Sequence, residues 1–376
     1  MGKVAGILIF LLIIIGGVWY AFGRGDQGDS SPGIGGIGGL GGSAKDEIVL
    51  KGMVGGEKVG LLQDPDVQKI LSRKYGIRLD YYKAGSIEMV RETPAQDVDF
   101  LWPSSQVALE LFKQEHRSRL RKAEIVFNSP IVLYSWDIVA DALAAQSIVE
   151  KVDATYYVVD MPRLIGVVTS GKKWSDVGLN ELYGSVTIIS TDPTKSNSGN
   201  MFSGLLANLL NGGDVVDDSS IETVLPEVVR FFRKLGYLEH SSGDLFDQYL
   251  RTGVGAKPII VGYENQIVEF SLEHADLWPQ VKDEMRILYP VPTVWSSHPI
   301  MSLSPKGDAL IEALMDPELQ KLAWEKHGFR TGLMGVENDP QVLAIAGIPA
   351  KITKVIPMPS PQVMDRIIVS LTGETN

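Results

Sequence analysis

The chain contains no cysteine, which excludes disulfides, thiolate metal sites and a lipidated-cysteine anchor, so an outer-face fold here stands on its packed core alone. It is also short of basic residues, 35 Lys and Arg against 46 Asp and Glu. A net charge of −11 argues against a general nucleic-acid binder, which needs a basic face to displace phosphate counterions. A small anion is not excluded, because one pocket can oppose the global charge through backbone donors. Histidine is scarce: His116, His240, His274, His298 and His327 show no metal-ligand spacing and no HExxH, so neither a metal nor a cofactor is expected. No GxSxG elbow is present, since Ser198-Gly199 lacks the preceding glycine. Gly166 to Lys172 nearly forms a P-loop, but Lys173 stands where Ser or Thr would hold magnesium.

What is present begins with a long apolar run. Val4 to Phe22 carries no charge and would extend about 28 Å as a helix, enough to nearly span a hydrocarbon core. Trp19 and Tyr20 suit a membrane interface, and the nearest cleavage-like sequence is Ala21-Phe22-Gly23. The run reads as a membrane segment or an export signal, and the favoured expectation is one uncleaved transmembrane helix with Lys3 inside and the bulk of the chain extracytoplasmic. Gly23 to Ala44 follows as a glycine-rich tether. Its Gly33, Gly35 and Gly38 match the GxGxxG spacing, but no strand precedes them and no amphipathic helix follows.

At 376 residues the chain has room for two domains, and from Asp46 onward its pattern is α/β. Strands are expected at Ile48 to Val54, Ile77 to Lys83 and Val98 to Trp102, each ending in small or hydroxyl residues before a helix: Gly55-Gly56, Gly85-Ser86 and Ser104-Ser105. In open α/β sheets, ligands gather at such carboxyl ends. The central stretch, Val186 to Leu210, reads as strand, polar loop and helix, with Ser196, Asn197, Ser198 and Gly199 at the helix start. Unpaired N–H groups and the helix dipole attract an anion or polar group there, although Ser196 could equally serve only as a cap. Gly262-Tyr263-Glu264-Asn265-Gln266 repeats the pattern at a later strand end, where Glu264 could be a simple helix-start carboxylate. Ile125 to Trp136 and Arg286 to Leu303 read as crossings between lobes, and Glu337 to Asn376 as a polar, proline-bearing tail.

The chain from about Glu47 to Gly332 resembles the extracytoplasmic solute-binding proteins of the periplasmic type II class, nearest in flavour to molybdate, sulfate and phosphate binders. The residues carrying the resemblance are Gly85-Ser86, Asp99-Phe100-Leu101 with Ser104-Ser105, Asn128 to Val132, and Trp174-Ser175-Asp176 leading to Tyr183-Gly184. They continue with Asp192-Pro193 through Ser198-Gly199, Tyr289 to Thr293, His298-Pro299 and Trp324 to Arg330. The resemblance implies two α/β lobes joined by crossing strands, with residues 46–130 and 293–376 in the first lobe and 131–292 in the second. It places Ser86, Ser104, Ser105, Ser196, Asn197, Ser198 and Gly199 on the cleft, with Tyr263 and Glu264 as further wall residues. The implied function is capture of a small solute, an oxyanion among the candidates, by hinge closure for an ABC-type importer or a sensor partner, with no catalysis. Two rivals remain: a membrane-tethered scaffold with a degenerate cleft, and a hydrolase using Ser196 or Ser198.

Overall fold

The computed structural model describes residues 47–91, 97–333, 336–343 and 345–372. The apolar run from residue 4 to 22 and the tether after it lie outside the described residues. No helix among the described residues is long and apolar enough to cross a membrane.

The chain is mixed α/β. The strands are β1 (Ile48–Val54), β2 (Ile77–Lys83), β3 (Phe100–Trp102), β4 (Lys122–Trp136), β5 (Val149–Val152), β6 (Thr155–Val158), β7 (Ile259–Tyr263), β8 (Met285–Pro290), β9 (Trp295–Ser302) and β10 (Arg330–Thr331). They form one ten-stranded sheet in the order β2-β1-β3-β9-β4-β8-β6-β5, with β7 and β10 also paired to β4. The helices that position the site are α1 (Ser86–Arg91), α2 (Gln106–Glu115), α3 (Asn197–Leu210), α4 (Ile221–Leu235), α5 (Ser242–Thr252), α6 (Asn265–Glu273), α7 (Pro317–His327) and α8 (Pro361–Thr372).

β4 divides the sheet. Its first nine residues, Lys122 to Pro130, pair antiparallel with β9, and Phe127 and Asn128 pair with β10. From Ile131 onward it pairs with β7 and β8 instead. A strand that changes partners midway must be apolar on both faces, and residues 129–136 are all buried. Two main cores follow. One gathers Leu50, Val54, Phe100, Trp102, Phe127 and Phe329 around the β1 side. The other, larger, gathers Tyr134, Trp136, Phe202, Phe231 and Phe232 around the β8 side.

The helical periodicity behaves as the spacing requires. α4 buries Ile221, Val224, Val228, Phe231 and Phe232 on one face. α3 is so enclosed that every residue from Ser198 to Leu209 is buried. Of residues 186–189, expected as a strand, only Ile189 forms a bridge, to Ile260, so they make an isolated contact rather than a full strand. The stretch after residue 337, read from sequence as a polar tail of the first lobe, instead sends Leu343, Ile345, Ile348 and Ile356 into the larger core. Within α8, Val363, Met364 and Ile367 fall three and four apart, which gives this short helix an apolar face to bury.

A buried ion pair ties the two parts together where β4 changes partners. Arg330 on β10 donates from Nε to Glu264 Oε1 at 2.6 Å and from Nη2 to Glu264 Oε2 at 2.9 Å. The Tyr289 hydroxyl adds a third hydrogen bond to Glu264 at 2.7 Å, and Arg330 also donates to the carbonyls of Pro349 and Ala350. Every polar atom of the carboxylate is thus satisfied, which is what allows a charge to sit at 0 % exposure. Arg330→Met leaves that carboxylate buried and unpaired. The expected cost is about 3–5 kcal/mol of unfolding free energy by chemical denaturation, and a loss under about 1 kcal/mol would refute the pairing role.

Candidate functional site

A cleft of about 570 Å³ opens at the carboxyl ends of the strands. From the β1 side it is lined by Gly55, Gly56, Glu57, Lys83, Gly85, Ser86 and Ser104. From the β7 side come Lys195, Ser196 and Asn197 at the start of α3, residues 240–244 and Asp247 at the start of α5, and Tyr263, Gln266 and Glu269. The two walls meet at one side chain. Asn197 Nδ2 donates to the Ser104 carbonyl at 2.9 Å and to the Tyr263 hydroxyl at 3.0 Å. The same carbonyl accepts from Ser296 Oγ at 2.7 Å, while the Ser104 N–H donates to Ser86 Oγ at 2.9 Å. Main-chain turns from three separate strand ends are therefore locked together by hydroxyl and amide groups.

Beneath this lies a charged cluster. Lys58 is fully buried, pairs with the Glu57 carboxylate, and donates to Ser104 Oγ at 2.9 Å. Its ammonium sits 5.5 Å from the Trp102 ring centroid, and Ser104 Oγ in turn donates to Glu57. His298 Nδ1 lies 3.5 Å from Glu57 Oε1. Burial alone would raise the Glu57 carboxyl, but the Lys58 charge and the His298 contact outweigh it and hold it well below the usual carboxylate range. Burial, reinforced by the Lys58 charge, pushes His298 down to about 4, so its ring is neutral at pH 7. Gly55 makes this arrangement fit: a Cβ there would stand 2.5 Å from both Glu57 Oε1 and Ser104 Oγ.

No family model matches this sequence, and no curated protein matches it. Solved structures do share its architecture. A Bordetella parapertussis chain assigned as an extracellular solute-binding protein superposes with a TM-score of 0.57 at 9% identity, over 88% of this chain and 98% of its own. Iron-bound HitA from Pseudomonas aeruginosa gives 0.53 at 12% identity, over 86% of this chain and 97% of that one. The apo ferric ion-binding protein A of Pasteurella haemolytica gives 0.52 at 13% identity, over 86% and 96%. The fold is that of solute-binding proteins. At such identities the backbone plan is shared, and nothing about a ligand passes with it.

On this backbone, five of the residues singled out from sequence converge on the cleft: Ser86, Ser104, Ser196, Asn197 and Tyr263. Four do not. Ser105 is 2 % exposed and spends its hydroxyl capping α2, where it accepts from the Val107 N–H at 3.1 Å. Ser198 is buried, with its hydroxyl shared between Thr191 Oγ1 at 2.8 Å and Ser196 Oγ at 3.1 Å. Gly199 serves a close approach, since a Cβ there would meet the Thr191 carbonyl oxygen at 2.3 Å. Glu264 faces Arg330 and Tyr289 rather than the cleft. Ser196, for its part, makes no capping hydrogen bond, which leaves it on the cleft wall.

Sequence reasoning did not single out Glu57, Lys58 or Glu269, and it named Gln266 and His298 without placing them on the site. Glu57 and Lys58 read from sequence as the end of a turn, Gly55 to Lys58, because their partners, Ser104 and His298, are remote in sequence. The available signal was a charged pair placed two glycines after a strand that ends in three buried residues. Among the described residues, no group of three or more His, Asp or Glu is placed to hold a metal ion.

The walls are not uniform in charge. Lys83 and Lys195 face Glu57, Glu88, Asp244, Asp247 and Glu269. Glu88 Oε2 accepts from the Gly85 N–H at 2.8 Å. Burial raises Asp247 against the pull of Arg251, and pushes Glu269 up to about 7 although His327 Nδ1 lies 3.0 Å from its Oε1. A carboxyl whose folded pKa lies above its unfolded value of about 4.5 favours folding most at low pH. That contribution fades as pH rises towards 7. Wild-type stability relative to Glu269→Gln is therefore expected to fall on the order of 2 kcal/mol between about pH 4.5 and 7 in urea titrations, and a pH-independent difference would contradict it.

Proposed function

We propose that this chain is an extracytoplasmic receptor that captures a small polar solute in the cleft and performs no chemistry on it. The observation that carries the reading is Asn197, which reaches from the start of α3 to the Ser104 carbonyl at the end of β3 and so bridges the two walls. On the proposed division, residues 46–130 and the returning strand after 293 form one lobe and residues 131–292 the other, with the crossing strands as hinge. A solute that touches both walls only when they are close has a higher affinity for the closed form, and its binding shifts the population towards closure. A membrane importer of the ABC type or a sensor would read that closed shape. The apolar run Val4 to Phe22 would hold the receptor at the membrane, with the glycine-rich segment as its tether.

An oxyanion would sit at the start of α3 against Lys195, Ser86 and Ser196. The carboxylates across the cleft add a demand: the solute should donate hydrogen bonds or carry positive charge on its other side. Against the hydrolase reading, the Ser196 and Ser198 hydroxyls bond to each other and to Thr191 rather than to a histidine or lysine base. The degenerate-scaffold reading is opposed by the ordered polar groups that line the walls.

The test is a thermal-shift screen of the full-length chain against sulfate, molybdate, amino acids, amines and sugars. A solute at about 100 times its Kd adds about 2.7 kcal/mol to the folded state. One class is expected to raise the midpoint, and Asn197→Ala to weaken that solute roughly tenfold or more. No shift with any class, or a shift indifferent to Asn197→Ala, would overturn solute capture in this cleft.

A further inference from the structure

A second concavity, of about 350 Å³, opens beside β5, β6 and β8 and shares no lining residue with the cleft. Apolar side chains of Ile267, Met285, Ile287, Ile345 and Trp278 also line it. Three cations, Lys151, Lys282 and Arg286, line it against one carboxylate residue, Asp283. Among the described residues none of the three forms an ion pair with a carboxylate.

The sheet register explains why they converge. Lys151 on β5 lies directly opposite Tyr156 on β6, and Tyr156 lies opposite Leu288 on β8, two residues along from Arg286. All these side chains therefore share one face of the sheet. The Lys151 ammonium comes within 5.1 Å of the Tyr156 ring centroid and the Arg286 guanidinium within 5.8 Å of the same ring. Two like charges against one ring repel, and an anion placed between them removes the penalty. A lysine on the edge strand β5 is explained by protection of that edge. Arg286 is not, because β8 lies inside the sheet between β4 and β6. One of its nitrogens, Nη1, donates to the carbonyls of Asp283 and Met285, which fixes the guanidinium at the pocket.

We propose that this pocket is a second ligand site for a small organic anion with a flat apolar body. The carboxylate or phosphate meets Lys151, Lys282 and Arg286, and the body lies against Tyr156 and Trp278. The site does not depend on the cleft reading: its residues, chemistry and ligand are separate.

The probe is 2-naphthoate, with neutral 2-naphthamide as its uncharged counterpart, in equilibrium dialysis against the full-length chain. The chain is expected to retain naphthoate and not the amide. Lys151 and Lys282 are exposed, so the double variant Lys151→Gln/Lys282→Gln keeps its fold and is expected to lose roughly tenfold or more in affinity. Asn197→Ala, which disables the cleft, should leave naphthoate binding unchanged. Failure of the wild-type chain to retain naphthoate, equal retention of the amide, or full binding by the double lysine variant would each overturn the proposal. Capture of polyglutamate without naphthoate would overturn it as well, by assigning the basic rim to an acidic polypeptide.

Discussion

Everything in this molecule hangs on the backbone of residues 129–131, where β4 leaves one set of partners and takes up another. A fully buried strand cannot leave N–H or carbonyl groups unmatched, so the exchange has to be completed within a residue or two. Pro130 helps by having no N–H to satisfy, and its carbonyl accepts from the Glu264 N–H at 3.3 Å. The Ile131 N–H donates to the Val294 carbonyl at 3.1 Å, and the Ile131 carbonyl accepts from Thr293 Oγ1 at 2.6 Å. Strand ends from both halves of the sheet are thereby delivered to the same place, and the cleft is the space left between them.

Two buried ion pairs flank that exchange, and they act differently. Glu264 and Arg330 are saturated with hydrogen bonds and face inward, which makes them a fastening. Glu57 and Lys58 lie directly under the cleft and share Ser104 between them, so the position of a wall residue is set by charge as well as by packing. Buried pairs contribute little net stability, because desolvation offsets most of the attraction. What they supply here is placement: Ser104 presents its carbonyl to Asn197 and its N–H to Ser86 without freedom to rotate either away. A solute held as proposed would meet a wall already ordered, which lowers the ordering cost of capture.

Much of the architecture was legible in the sequence because it rests on local pattern. The apolar residues of α3 and α4 at helical spacing, the β-branched runs of β1 and β7, and small residues at successive strand ends all survive translation into coordinates. Ser86, Ser104, Ser196 and Asn197 were found because strand-end chemistry is local too. What failed was long-range. Glu264 looks identical in sequence whether it faces a ligand or an arginine 66 residues away. Ser105, Ser198 and Gly199 sit in the right motifs, but a cap, a hydroxyl network and a tight backbone approach had already used them. Glu57 and Lys58 gave only the sign of a charged pair near a buried strand end, and Glu269 none, since their environment is made by partners that only the fold brings near.

Closure around a solute is the central claim, and a distance across the cleft tests it most directly. The chain has no cysteine, so the double variant Tyr82→Cys/Tyr237→Cys carries spin labels at two exposed positions and nowhere else. Tyr82 lies on β2, on the β1 side, and Tyr237 follows α4, on the other side. Double electron–electron resonance on the full-length chain should show the label separation shortening and its distribution narrowing when the solute that raises the melting midpoint is added. A distribution unchanged by bound solute would contradict capture by closure.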